Sequence, residues 1–233
     1  MPKSIAGIRI VTEINDDFYP DYWKKDKAIQ AEASPSDAKE IERVIPIIHQ
    51  FVKDYPPKVL KNLRSICLCK VLKFYGKPFG GTNSADAVYL CVQSESLGYT
   101  NSFLLASLHH EFSSILMRNY EERFPKTAWT AINAKDFKYT EDAVGALGQD
   151  NLLTPSKKTR DEGFICKYSK CSMEEDFNTI ADYLFSERRL LLAWGKAHPK
   201  LKAKIQLAMK FYQSIDAAIQ FGELEELNKQ VSP

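Results

Sequence analysis

Residues 101–117 form one apolar stretch whose middle holds His109, His110, Glu111, Ser113 and Ser114, a polar run interrupted only by Phe112. Apolar residues crowd both of its ends, Phe103, Leu104, Leu105 and Leu108 before, Ile115, Leu116 and Met117 after. Such a pattern predicts a helix buried on nearly every face. An imidazole or carboxylate buried without a partner costs on the order of several kcal/mol. Something must therefore satisfy these groups: each other, another chain segment, or a metal ion. His110 and Glu111 open the pattern His-Glu-x-x-His, in which two histidines one turn apart bind zinc and the intervening glutamate acts as general base on the metal-bound water. Here the second histidine position is Ser114. A neutral hydroxyl is a poor zinc ligand beside an imidazole. His109 cannot take over, because neighbouring residues on a helix point about 100° apart.

The surrounding elements decide whether such a helix is presented to a substrate. Before it, residues 5–11 read as a strand, followed by an acidic and aromatic loop, Asp16 to Trp23. Ser34-Pro35-Ser36-Asp37 reads as a helix start. Ile41, Val44, Ile45, Ile48 and Val52 then fall at helical spacing, with Pro46 inside and Pro56-Pro57 ending the element. Residues 65–75 and 87–92 are rich in β-formers, separated by turn chemistry at Gly76 to Asn83. The second run is almost continuously apolar, so both faces should be covered. From Gly98 onward the pattern is helical: Thr100 or Asn101 caps the motif helix, and further helices are expected over 127–133, 141–147, 173–192 and 199–221. Strands first and helices after predict an α+β fold, one domain over 1–233 with a sheet-containing part at 1–98 and a helical part at 99–233.

Other functions find little support. The chain has 233 residues, 44% of them hydrophobic and 27% charged, with 32 Lys and Arg against 30 Asp and Glu. That balance gives no field to drive binding to nucleic acid or anionic lipid. The basic residues of the last helices, such as Arg188, Arg189, Lys196 and Lys210, read as a solvated face. No apolar run approaches the roughly 18 to 20 residues of a membrane helix. The N-terminus shows no export signal, which leaves a cytoplasmic protein and a processed exported form both open. The oligomeric state is equally open. A nucleophile elbow and a phosphate-binding glycine loop are both lacking. Five cysteines without a CxxC pair suggest buried free thiols, although Cys166 and Cys171 could pair. His49 and His198 read as structural or solvated.

Downstream of the motif helix come Gly163-Phe164-Ile165-Cys166-Lys167-Tyr168-Ser169 and then Met173-Glu174-Glu175-Asp176-Phe177-Asn178. Taken with His109-His110-Glu111-Phe112, these segments resemble the zinc metallopeptidases of the gluzincin type related to bacterial lipoprotein metallohydrolases. The likeness spans residues 86–186 and departs from the family at Ser114. It implies a zincin-like α+β fold with a mostly antiparallel N-terminal sheet, a zinc ion as cofactor and a peptide or protein substrate. It further implies His110 and Glu175 as metal ligands, Ser114 in the place of the missing histidine, and Glu111 as general base. Tyr168 would donate to the developing oxyanion. His109 and Asp182 would orient ligands from behind. Glu174, Glu175 and Asp176 are also explained by the helix dipole, which favours carboxylates in a first turn. A non-catalytic member that keeps the cleft as a peptide- or protein-binding module is the rival expectation, favoured by Ser114.

Overall fold

The computed structural model describes residues 2–228, and the chain divides into two compact units, Met1–Asn119 and Tyr120–Pro233. The motif helix lies in the first, with the strands; the sequence pattern had grouped it with the later helices.

In the first unit, β1 (Ser4–Ile5) and β2 (Ile8–Val11) form a hairpin. Its two turn residues, Ala6 and Gly7, both have positive φ, the twist that suits a two-residue hairpin. After α1 (Asp21–Lys25) come β3 (Glu32–Ser34), α2 (Ala38–Lys53) and α3 (Pro57–Leu60). The run expected as one strand at 65–75 is broken in two, β4 (Ser65–Cys69) and β5 (Val71–Phe74). At the break, Lys70 donates its N–H to Ser34 O at 2.8 Å while Val92 N donates to Cys69 O at 2.7 Å. Backbone pairing thus sends the two halves to different sheets. β6 (Lys77–Pro78), β7 (Gly81–Asn83) and β8 (Ala87–Cys91) follow.

The larger sheet has the order β1-β2-β4-β8-β7, and a smaller one the order β3-β5-β6. The two central pairings, β2 with β4 and β4 with β8, are parallel, and the others are antiparallel. Every residue of β4 and β8 is buried, which explains their unbroken apolar sequence. One face carries Cys67, Cys69, Tyr89 and Cys91 under an aromatic layer that includes Phe18 and Trp23. The α4 helix (Asn101–Asn119) packs on β7, β8 and α2. All five cysteines are free and buried.

The second unit is helical: α5 (Lys126–Ile132), α6 (Ala143–Ala146), α7 (Lys157–Asp161), α8 (Met173–Ser186), α9 (Arg188–Ala197) and α10 (Pro199–Ile215). The helix expected over 173–192 breaks at Glu187, whose φ of −138° and ψ of 50° leave the helical region. Its core is aromatic, with Phe177 edge-on to Phe211 and Trp129 and stacked on Tyr212. Among the described residues no helix is long and apolar enough to cross a membrane.

Candidate functional site

Local chemistry fixes the entry to α4. Thr100 Oγ1 accepts from Phe103 N at 3.2 Å, satisfying a donor that the first helical turn leaves orphaned. Arg43 on α2 then fastens the connection from β8. Its guanidinium donates to Gln93 O at 2.7 Å, to Tyr99 O at 2.9 Å and to Asn101 Oδ1 at 2.7 Å. A half-buried arginine with three such partners holds both ends of a loop in one geometry.

The polar residues of α4 point in different directions. His109 is fully buried, with Nδ1 2.9 Å from the Tyr55 hydroxyl and Nε2 3.6 Å from Asp54 Oδ2. Its ring also packs against Phe51. These contacts lie on the α2 side and at its C-terminal end. His110 is half-buried, and its backbone oxygen accepts from Ser113 Oγ at 2.7 Å. Ser114 is 1% exposed. Glu111 is turned to the sheet edge, where Asn83 Nδ2 donates to its Oε2 at 2.6 Å. Arg118 donates in turn to Asn83 Oδ1, and to Ser84 O at 2.9 Å.

In the second unit, Ser172 caps α8 by accepting from Glu175 N at 3.1 Å, which sets the direction of the first turn. Tyr168, in a short 3-10 turn (Tyr168–Lys170), donates its hydroxyl to Glu175 Oε1 at 3.0 Å. The spacing of seven residues between these two therefore corresponds to a direct contact. Asp182, two turns further along α8, is half-buried. Asp176 is the residue of this segment that the helix-dipole argument undervalued. It is wholly buried, and Lys204 Nζ, Tyr139 Oη and Trp129 Nε1 all donate to its Oδ2, at 2.6, 2.7 and 2.9 Å. Burial pushes its carboxyl above the usual range against the pull of Lys204, and pushes the Lys204 ammonium down.

The residues predicted as site residues therefore fall into two groups: His109, His110, Glu111 and Ser114 on α4, and Tyr168, Glu175 and Asp182 on and before α8. Ser114 offers a neutral hydroxyl, and among the described residues no group of three or more His, Cys, Asp or Glu side chains is placed to hold a metal ion. Asn83 and Arg118 were missed from sequence; the Gly80-Gly81 turn beside them was the one available signal.

A buried helix bearing His-Glu thus lies against the edge of a mixed sheet in the first unit, and the second unit is helical. The family described as putative zinc-binding metallo-peptidase matches residues 22–214, and the chain belongs to it. A solved structure from Bacteroides caccae ATCC 43185, described as a putative zinc-binding metallo-peptidase, shares the fold. Its TM-score is 0.58 over 95% of this chain and 84% of that one, at 14% sequence identity. No curated protein matches the chain.

Proposed function

We propose that this chain is a peptide-cleaving member of its family with a degenerate metal site. The observation that carries the reading is Glu111, a carboxylate on a buried helix, turned to the edge strand β7 and held there by Asn83. An edge strand can take up an extended peptide by main-chain hydrogen bonds, which would bring a scissile carbonyl to that carboxylate. Glu111 would accept a proton from the attacking water as its oxygen adds to the carbonyl carbon. It would return that proton to the amine as the C–N bond breaks. His110 and Glu175 are the strong donors assigned to zinc, with Ser114 as the weak one. Tyr168 can serve the oxyanion only by leaving Glu175 Oε1. His109 and Asp182 remain supporting residues.

A second reading, a non-catalytic peptide- or protein-binding module, is favoured by Ser114 standing where the motif has its second histidine. Zinc calorimetry on the purified chain and on Ser114→His separates the two, together with peptide-library hydrolysis. Under the peptidase reading, Ser114→His binds zinc more tightly by at least an order of magnitude, and Glu111→Gln stops hydrolysis while leaving any bound metal in place. Hydrolysis that is unchanged in Glu111→Gln would falsify the base assignment. A chain that binds peptide but cleaves none, even as Ser114→His, belongs to the second reading.

A further inference from the structure

We infer that Asn83 is a positioning residue for Glu111, fixing the direction of the carboxylate on which the proposed proton transfer depends. The inference rests on that reading of Glu111 and extends it to residues outside the motif. Asn83 closes β7, and its Nδ2 lies 2.6 Å from Glu111 Oε2. An asparagine amide can ordinarily be turned either way, since its oxygen and nitrogen are alike in shape. Here the choice is forced. Arg118 donates to Asn83 Oδ1, and a guanidinium has donors only. The amide oxygen must therefore face Arg118, which leaves the NH₂ group facing the carboxylate. Arg118 is itself anchored on Ser84 O at 2.9 Å, so the relay is pinned to the same edge of the sheet.

The opposite side of the carboxylate is shaped by an absence of side chain. A Cβ at position 81 would lie 3.1 Å from Glu111 Oε1, 3.4 Å from its Cγ and 3.2 Å from Tyr89 O. A side chain there would force the carboxylate or the backbone to give by a few tenths of an ångström, which glycine avoids. Strand β7 thus meets Glu111 twice, with a donor at Oε2 and a bare backbone beside Oε1. Seven residues separate Glu111 from Arg118 on α4, two turns along one face, so both ends of the relay are carried by one rigid helix. A general base must sit within hydrogen-bond reach of the proton it takes, roughly 2.6–3.2 Å. Loss of direction therefore weakens turnover more than peptide binding.

Asn83→Asp tests the donor, because it keeps the size and removes the N–H. With a peptide found by library cleavage, we expect kcat to fall roughly ten- to a hundredfold, the usual loss for a partner that orients a working group. KM and metal content should stay at their wild-type values. Arg118→Met, which frees the amide to turn, should give a smaller loss of the same kind. A readout independent of activity comes from crystal structures of the wild type and Asn83→Ala, in which Glu111 should swing away from β7. Wild-type kcat in Asn83→Asp, or an unmoved Glu111 in Asn83→Ala, overturns the inference while the base assignment stands. Full activity in Glu111→Gln sinks the base assignment instead, and the Asn83→Ala structure still decides whether Asn83 holds the carboxylate.

Discussion

Glu111 and Asp176 are both acids buried on helices, one in each unit, and they are held in opposite ways. Asp176 faces an ammonium, a phenol and an indole that converge on a single oxygen, Oδ2. Its Oδ1 is buried with no hydrogen-bond partner among the described residues. Lys204 is also wholly buried, 3.7 Å from the centre of the Phe164 ring. Glu111 instead takes a neutral amide, with the cationic Arg118 one residue further back. A carboxylate closed by a buried cation is a fastening: removing either partner leaves an uncompensated charge in an apolar site, while desolvation still holds the Asp176 carboxyl above its usual range. An amide donor fixes direction with far less effect on basicity.

The largest test of this contrast is stability. Asp176→Ala strands Lys204 in an apolar site and should lower the unfolding free energy by about 3–5 kcal/mol, measured by denaturant titration. Replacing both partners by apolar residues, Asp176→Leu with Lys204→Met, should recover most of that loss. Glu111→Gln keeps an acceptor for Asn83 and should shift stability by less than about 1 kcal/mol. Equal losses for the two acids would break the distinction. A finer test is Tyr139→Phe, which deletes one donor to Asp176 and should cost roughly 1.5–3 kcal/mol. The smallest effect belongs to an acid at the surface. Asp86 pairs with Arg64 at 2.7 Å, but both side chains are about half exposed, so Asp86→Asn should change stability by no more than about 1 kcal/mol.

These two acids also mark how far the sequence could be read. The motif helix was legible because its cap and its apolar flanks are local signals, and α4 begins at the expected residue, Asn101. The α+β order was legible for the same reason. The break at Lys70 was not, since it depends on Ser34 and Val92, partners distant in the chain. Asn83 escaped notice because its role is set by a contact across 28 residues. Three carboxylates in the first turn of α8 look alike in composition, and the dipole explains all of them equally. Their phase did hold a clue: Asp176 shares the inward face with Phe177 and Ile180, and Lys204 lies in line with Leu201, Ile205 and Ala208, all buried. A lysine in an apolar stripe asks for a buried acid, and the first turn of α8 supplies one.

The mixed pairing of the larger sheet bears on how the first unit assembles. Strand β2 lies parallel to β4, and its residue Arg9 is the register partner of Ser65, so that pairing closes a long loop before any of its hydrogen bonds form. Strands β7 and β8 are joined by a short turn, with Asn83 opposite Val88, and α4 follows soon after. Loop-closure entropy grows with the length enclosed, and contacts near in sequence form sooner. The segment from 81 to 118, which carries Gly81, Asn83, Glu111 and Arg118, can therefore organise as a local nucleus, while the N-terminal hairpin, whose β2 pairs with β4, joins the sheet as a later event.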